Sequence, residues 1–445
     1  MPSFIMSFDT EDYIDPAADD ITRTLCEILE RHGIRGSFCM VAERARQLVA
    51  RGRTDVIDAL KRHEIAFHST WHSRHPNPAE YMDPLSWDDG VAEHFRREKE
   101  GVRLVKEIFG VDRLGAAVPP GSSWAPQGIY AYAAMGIPIF AGSSISRRSG
   151  EPVWFVNSIQ VPYNRYLDPL CHAGDVDAMR KVLDEHRSDE MLITCNHPTI
   201  LRHSEFVDAL NFGRGKNPPP QQWRQAPLRS EAEMKTILGS FEEWCRMLAA
   251  DGDYRQTSYA EVFERYAQHA TRLSSKEVDA LAASVGQRPD EFVSGGSTLS
   301  PAEVFGLFSM RLAHPQAKPL AVRRLLGPVA EAKPMESALR VTADVMATAA
   351  RQLESQMRGR MPESVDVAGT AVPPAAFFVA MARAIRDGAG EIVIDPATPG
   401  LAAAERPVFA NIKFRWACFA EDFTGEGLKR LARLQAWTYK SASAN

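Results

Sequence analysis

The sequence predicts an α/β fold with parallel strands, followed by a smaller, mainly helical C-terminal domain. From residue 1 to about 268, short apolar runs alternate with amphipathic helical stretches. Strand–helix–strand alternation requires crossover connections and therefore parallel pairing, in a barrel or an open sheet. A chain of 445 residues is long enough for two or three domains, each with its own core. We place the boundary between an α/β domain at 1–268 and a helical domain at 273–445.

Apolar periodicity and turn residues assign the elements in chain order. The predicted strand at 191–194 leads to His197, and the predicted strand at 4–8 leads to a cluster of carboxylates. In the C-terminal domain, Ser274-Ser-Lys-Glu277 and Ser300-Pro-Ala-Glu303 are capping boxes ahead of apolar helical repeats. The predicted strands are 4–8, 37–41, 64–67, 114–118, 137–141, 159–161 and 191–194, the predicted helices are 20–32, 42–51, 54–62, 87–109, 230–250, 259–267, 334–358 and 375–386, and a short β pair is predicted at 388–396 and 408–414.

Charge and cysteine usage exclude several classes of function. The formal net charge of −5 gives no electrostatic reason to expect nucleic acid as a partner. Six cysteines without a C-x-x-C pair do not form a disulfide framework or a zinc–thiolate site. Because no basic segment with an apolar stretch precedes Asp9 and no run reaches the length of a membrane span, we expect no membrane association. We therefore predict a cytoplasmic protein.

Two histidines and several carboxylates follow predicted strands and form a pattern typical of metal hydrolases. Asp9, Glu11 and Asp12 end the first strand, and His68 and His72 come directly after the strand at 64–67. Two neutral imidazoles and one carboxylate hold a divalent ion and leave positions open for water and substrate. A further carboxylate close by can accept the proton of that water. An H-x-x-x-H pair alone would be a weak signal, since buried structural histidines are common.

The order of five segments strengthens this interpretation, and it resembles the order in the polysaccharide deacetylase family, which includes the chitooligosaccharide deacetylases. The resemblance covers about residues 1–265 and implies a distorted (β/α) barrel of the polysaccharide deacetylase type. The segments are Phe8-Asp9-Thr10-Glu11-Asp12 in place of the family's Phe-Asp-Asp, residues 31–38 at the joint between a helix and the second strand, His63-Glu64-Ile65, His68-Ser69-Thr70-Trp71-His72 for His-Ser/Thr-x-x-His, and residues 192–198, an apolar strand that ends in histidine.

Residue roles follow from the resemblance by position. Asp9 corresponds to the general base, His68 and His72 to metal ligands, and His197 to the general acid that protonates the departing amine. The third ligand is Glu11 or Asp12, because this chain spaces its acids differently, and we favour Glu11. Zinc is the expected ion, with cobalt, manganese or nickel as alternatives.

The third motif departs from the family pattern. The family has Arg-x-Pro-x-Gly, and this chain reads Ala117-Val118-Pro119-Pro120-Gly121. A backbone N–H after the Pro120–Gly121 turn would still face the oxyanion. The arginine that pairs with the base is absent, unless Arg147, Arg148 or Arg224 reaches Asp9 from another loop. Further candidates for contact with substrate are Trp124 as a pocket wall, His75, Tyr163, Tyr166 and Trp223, whereas Trp154 is expected in the core.

Three functions are compatible with these residues. The leading hypothesis is metal-dependent hydrolysis of an amide. The reaction that we favour is de-N-acetylation of an amino sugar in a small-molecule or oligosaccharide substrate. The second is a hydrolase of the same fold that acts on a small cytosolic amide or a cyclic ureide. The third is a catalytically degenerate protein that binds a saccharide, motivated by the missing arginine. The C-terminal domain carries no catalytic pattern, and homo-oligomer formation is one role that we consider for it.

Overall fold

The computed structural model describes residues 1–147, 149–388 and 390–442 and divides into two compact units. The first unit comprises Met1–Pro152, Ser158–Arg265 and Lys413–Glu426. The second comprises Val153–Asn157, Tyr266–Ile412 and the chain from Gly427 onward. The predicted division at 268–273 treats both parts as continuous, whereas in the structure two short segments are exchanged between the units.

The first unit is built around parallel strands. Ser3–Thr10 is central and buried, and it pairs in parallel with Ser37–Met40 on one side and Met191–Asn196 on the other. An apolar run such as Phe4–Phe8 suits this position, because a parallel strand is covered on both faces. The strand order is Glu64–Phe67, Ser37–Met40, Ser3–Thr10, Met191–Asn196 and Arg165–Tyr166, with Arg255–Gln256 also paired to Ser3–Thr10.

Ala117 extends this row of strands toward two further strands. It forms parallel bridges with Phe67 and with Phe140, and Ile139–Ala141 pairs in parallel with Ser158–Val161. The predicted strand at 114–118 is thus reduced to a single bridging residue. The α/β class and the parallel pairing are confirmed, and closure of the row into a barrel stays a prediction.

Helices connect the strands of the first unit. The longest, Trp87–Phe109, begins after Ser86, whose side chain accepts a hydrogen bond from the backbone N–H of Asp89, and ends at Gly110 in the left-handed conformation. Such caps fix helix ends locally, and the predicted bounds of this helix are confirmed. The other helices are Ala17–Arg31, Ala42–Ala50, Thr54–Leu60, Pro78–Met82, Pro126–Ala134, Asp168–Ala173, Val176–Glu185, Pro198–Arg202, Val207–Phe212, Glu231–Ala250 and Tyr259–Tyr266.

The second unit combines helices with short antiparallel strand pairs. Both predicted capping boxes are present, at Ser274 and at Ser300. Its helices include Ser275–Ser284, Pro301–Ala313, Ala343–Gln356, Pro374–Asp387 and Pro407–Ala410. The strand pairs are Arg272–Leu273 with Leu320–Ala321, Phe292–Ser294 with Ser297–Leu299, Leu339–Thr342 with Glu391–Ile394, Val365–Val367 with Thr370–Val372, and Val153–Phe155 with Lys440–Ser441.

Two predictions for the second unit are wrong. The helix predicted at 334–358 begins only at Ala343, after the strand Leu339–Thr342, because Thr342 caps the helix through the backbone N–H of Val345. That strand, and not 408–414, is the partner of Glu391–Ile394. Residues Pro407–Ala410 are helical, which the proline at the first helical position favours. None of the described helices has both the length and the apolar character that a membrane span requires.

Candidate metal centre and active site

Glu11, His68 and His72 come together at the carboxyl ends of the first and third strands. Each of them offers one ligand atom, and these atoms lie within 4.8 Å of one another. The Nε2 atom of His72 lies 2.9 Å, and that of His68 3.7 Å, from Oε2 of Glu11. In a tetrahedral site with bonds of about 2.0–2.1 Å, ligand atoms are about 3.3 Å apart. The two distances bracket that value.

The second nitrogen of each imidazole is held by the protein, which turns Nε2 toward Glu11. Nδ1 of His68 donates to the backbone oxygen of Val118 at 3.1 Å. Nδ1 of His72 lies 2.9 Å from the Ser73 hydroxyl and donates to Asp208. Such partners fix the tautomer of a ligating histidine and its ring orientation. Ser69 and His72 have positive φ values of 65° and 53°, so the loop turns sharply enough to present both rings to one point.

The charges of this cluster fit a divalent cation. Burial by itself would lower the pKa of His72, but Glu11 and Asp208 outweigh it and raise the pKa to about 10. Burial would raise the pKa of Glu11, yet His72 and His68 hold it well below its ordinary value. The buried atoms Glu11 Oε1, His68 Nε2 and His72 Nε2 have no hydrogen-bond partner. Unpartnered buried ligand atoms beside excess negative charge suit a bound ion.

Asp12, the alternative third ligand, has a different position. Its Oδ1 atom accepts hydrogen bonds from the backbone N–H groups of Ile14 and Asp15, at 2.8 and 2.9 Å. Its Oδ2 atom accepts from the Thr199 hydroxyl at 3.1 Å. Both oxygens of Asp12 are therefore engaged, and the two bonds to Oδ1 close a local turn. The geometry therefore brings Glu11, and not Asp12, to the histidines.

A tyrosine is the partner of Asp9. The hydroxyl of Tyr163 donates to Oδ1 of Asp9 at 2.9 Å. Behind it, Ser7 Oγ lies 3.2 Å from the Tyr163 hydroxyl, and the Tyr259 hydroxyl donates to Ser7 Oγ at 3.1 Å. This row of hydroxyls, buried at Ser7 and Tyr259 and half-buried at Tyr163, ends at the carboxylate and fixes its rotamer. Oδ2 of Asp9 remains near Nε2 of His68 and of His197, at 3.8 and 3.6 Å.

Two of the three arginines considered as partners of Asp9 lie in the described part of the chain, and both contact other residues. Arg147 pairs with Glu151 at 2.5 Å. The backbone N–H of Arg224 donates to Asn211 at 2.8 Å. Arg148 lies outside the described residues. The sequence indicates Tyr163 only as a candidate for contact with substrate, and it gives no signal for the hydrogen bond from this hydroxyl to Asp9.

His197 is held by an acidic residue that sequence reasoning missed. Oδ2 of Asp168 accepts from Nδ1 of His197 at 2.7 Å, and Oδ1 accepts from its backbone N–H at 2.9 Å. The burial of His197 lowers its pKa, but Asp168 outweighs this effect and the pKa rises to about 10. The ring of Tyr166 stacks on the imidazole with centroids 5.7 Å apart. Nε2, directed toward Asp9, is therefore the nitrogen available to a substrate.

A cavity of about 250 Å³ joins these groups. Four parts of the chain form it: the residues at and after strand ends, the turn after Ala117, the helix Pro198–Arg202 with the loop that follows it, and the segment Lys413–Glu426. Its lining residues are Asp9, Glu11, His72, Val118, Pro119, Gly121, Gly142, Tyr163, Tyr166, His197, Ile200, Phe206 and Trp416. Trp416 has the largest side chain in this lining. The sequence gives no signal for it, because it lies far along the chain in a segment without a motif.

Four of the candidate substrate contacts are not in this lining. Pro120 is buried in the turn, where its carbonyl accepts from Ser123 at 2.9 Å. Trp124 is buried and packs against Phe414, with ring centroids 5.8 Å apart. Both ring nitrogens of His75 are used, by Glu80 at 2.7 Å and by the carbonyl of Phe212 at 3.0 Å. Trp223, the fourth, packs on Tyr13 with ring centroids 5.5 Å apart. Trp154 is buried, as the core interpretation of this residue predicts.

A second group of potential ligands, Asp9, Cys195 and His197, also meets within 4.8 Å. Its members are already engaged: Asp9 by Tyr163 and His197 by Asp168. Burial together with Asp9 raises the pKa of the Cys195 thiol well above its ordinary value. A thiol must lose its proton to ligate, so this group is the poorer candidate for an ion.

The comparisons with known proteins come from solved structures. Neither a protein-family model nor a curated protein sequence matches the chain. A Mycobacterium smegmatis protein described as a polysaccharide deacetylase matches at 14% identity with a TM-score of 0.39, over 59% of this chain and 90% of that one. The family 4 carbohydrate esterase from Streptomyces lividans, in complex with acetate, matches at 14% with a TM-score of 0.33, over 57% and 91%.

A third similar structure is the 4-alpha-glucanotransferase from Thermococcus litoralis, at 11% identity and a TM-score of 0.39. The match covers 59% of this chain, which spans only 40% of the length of the glucanotransferase. Polysaccharide deacetylases, the family that the motifs resemble, are thus among the solved structures similar to this chain.

Proposed function

We propose that this protein is a metal-dependent hydrolase of an amide bond and that it removes an N-acetyl group from an amino sugar. One observation carries the proposal: Asp9, Glu11, His72 and His197 line a single cavity, and His68 lies within ligand distance of two of them. The row of parallel strands that delivers these groups supports a distorted (β/α) barrel of the deacetylase type.

Glu11, His68 and His72 would hold the ion, with zinc as our first choice for a site of two imidazoles and one carboxylate. Bound there, a divalent ion polarises the acyl carbonyl and lowers the pKa of water. The backbone at Gly121, which lines the cavity, is our candidate for a further contact to the developing negative charge. Six buried free cysteines support the cytoplasm as the proposed compartment.

The proton transfers belong to Asp9 and His197. Asp9 accepts the proton of the attacking water through Oδ2, because Tyr163 occupies Oδ1. His197 gives a proton from Nε2 to the departing nitrogen, because Asp168 occupies Nδ1 and keeps the ring charged. Water thereby adds its oxygen to the acyl carbon, the carbon–nitrogen bond breaks, and acetate and the free amine leave.

Metal content and acetate release test this proposal together. We expect purified protein to bind one equivalent of zinc and to release acetate from N-acetylated glucosamine substrates. Asp9→Asn should keep the metal and lose roughly 100-fold or more in kcat, while His68→Ala should lose the metal. The exposed Asp58→Asn serves as the matched control. Full activity of Asp9→Asn, or stoichiometric metal in His68→Ala, would refute the assigned roles.

Binding without hydrolysis is the competing proposal, because the arginine of the third motif is missing. The hydrogen bond from Tyr163 gives Asp9 a replacement partner, which favours catalysis. Titration of metal-loaded protein with an N-acetylated oligosaccharide separates the two cases. Saturable binding with no acetate released over hours would favour the binding protein.

A further inference from the structure

A segment near the C-terminus completes the first unit. Lys413–Glu426 follows the bulk of the second unit in sequence but belongs to the first. The backbone N–H of Arg214 donates to Ala417 at 2.9 Å, and that of Arg415 donates to Ser122 at 3.1 Å. Cys418 is fully buried in a core cluster with Tyr13, Val41 and Phe212. The segment is therefore anchored at several points.

This anchoring places the ring of Trp416 in the cavity wall. The ring packs edge-on against His72, with centroids 5.4 Å apart and planes at 86°. On another side it covers Gly121 so closely that a Cβ atom there would lie 2.5 Å from ring atoms. Phe419 supports the ring, with centroids 5.7 Å apart. Trp416 thus fills the space beside a proposed metal ligand and the turn of the third motif.

The space left beside the reacting groups is small. At about 250 Å³, the cavity is below the range of about 300–1,000 Å³ that is usual for pockets of drug-sized ligands. Ile200, Phe206 and Tyr166 form other parts of its lining. A polymer substrate needs room for sugar units on both sides of the reacting amide. The ring of Trp416 closes the part of the cavity wall beside His72 and Gly121.

We propose that Trp416 restricts this site to short substrates, of which a single N-acylated sugar is the expected class, and that it excludes internal units of a polysaccharide. The inference rests on the proposed deacetylase function and names its substrate class. An aromatic ring at this position also offers the C–H face of one pyranose a flat apolar surface. Selectivity for size then comes from a residue outside the motifs.

Relative rates on two substrates of different length test the inference. We expect metal-loaded wild-type protein to have a higher kcat/KM for N-acetylglucosamine than for its β-1,4-linked tetramer. Trp416→Ala should raise the ratio of kcat/KM for the tetramer to kcat/KM for the monomer by about tenfold or more. Trp416→Phe, which keeps an aromatic ring, should give a smaller shift and serves if the alanine variant unfolds. Arg415→Ala, an exposed neighbour in the same segment, should leave the ratio unchanged.

Failure of this inference is distinguishable from failure of the proposed function. Equal or better use of the tetramer by wild type, or an unchanged ratio in both Trp416 variants, would overturn the inference while acetate release continued. If neither sugar released acetate, the proposed hydrolysis would fail, and calorimetric titration with the same sugars would decide the inference. Preferential binding of the monomer that relaxes in Trp416→Ala would support it. Undetectable binding of both sugars would overturn it.

Discussion

At the residue scale, the partner of Asp9 is a neutral hydroxyl, whereas the motif resemblance predicts an arginine there. A guanidinium would offer a carboxylate two charge-assisted hydrogen bonds. The Tyr163 hydroxyl offers one hydrogen bond and no charge, but its side chain is half-buried and it is supported by the buried residues Ser7 and Tyr259. The single bond therefore acts in a low dielectric, where it is stronger than in water. The hydroxyl orients Asp9 without adding a positive charge beside the proposed metal site.

Removing this hydroxyl should impair turnover more than binding. We expect Tyr163→Phe to lower kcat about 10- to 100-fold, because a hydrogen bond to a charged group is worth about 1.5–3 kcal/mol, with KM and metal content close to wild type. Steady-state kinetics and elemental analysis provide the measurement, with Tyr130→Phe, which packs on Trp87, as the control. An increase in KM alone would mean that Tyr163 contacts substrate and does not position Asp9.

The sequence indicated the groups at strand ends and missed their partners. Asp9, His68 and His197 were predictable because parallel strands deliver their C-terminal residues to one edge. Asp208 is 136 residues from His72, and Asp168 is 29 residues from His197. Nothing local marks them, since an aspartate in or beside a short helix usually faces solvent. Only the packing of loops against one another brings them to the imidazoles.

At the scale of elements, the helix Trp87–Phe109 supports the loop between the two histidines. Glu98 of this helix accepts hydrogen bonds from the backbone N–H and the hydroxyl of Thr70, at 2.8 and 3.0 Å. Gly101, one turn on, lets the helix approach so closely that a Cβ atom there would lie 2.4 Å from the Thr70 hydroxyl oxygen. The Glu98 carboxylate thus holds the loop, and the absence of a side chain at Gly101 allows the helix to lie close to it.

Glu98 should make stability depend on pH. Burial raises its pKa to about 7, so its contribution to folding is fully present below the unfolded value near 4.5 and is lost as pH rises through about 7. We expect the unfolding free energy of wild type to fall between pH 5 and pH 8 by up to about 3 kcal/mol more than that of Glu98→Gln. Urea titrations with a chelator present measure this difference, and equal pH dependence in both proteins would contradict it.

Elements were predictable where local signals agreed. Ser86 and Gly110 mark both ends of the long helix, and the capping boxes at Ser274 and Ser300 are present as expected. The sequence predicts helix at Leu339–Thr342, where the structure has a strand, because a short apolar run does not distinguish the helical period from the strand period. Its strand character comes from pairing with Glu391–Ile394, about fifty residues further on, and that pairing is a tertiary event.

For the whole molecule, a bound ion should add to the stability of the folded state. A ligand that binds only the native chain contributes about 4 kcal/mol when its concentration is about 1,000 times its Kd. We therefore expect zinc to raise the unfolding temperature of chelator-treated protein and a chelator to reverse the rise. His72→Ala should abolish the zinc-induced rise, whereas His186→Ala, which removes a histidine paired with Asp189, should keep it. A rise of equal size in His72→Ala would place the ion elsewhere.

The first unit consists of three separate segments of the chain, and this affects when it can fold during synthesis. Ribosomal synthesis is vectorial, and domains ordinarily fold as they emerge. Here the cluster of Tyr13, Val41 and Phe212 is completed by Cys418. Cys418 is translated only after most of the second unit. A nascent chain of 265 residues would hold every proposed catalytic group and still present an unfinished hydrophobic surface. The core of the first unit should therefore be completed only late in translation, once the segment Lys413–Glu426 has left the ribosome.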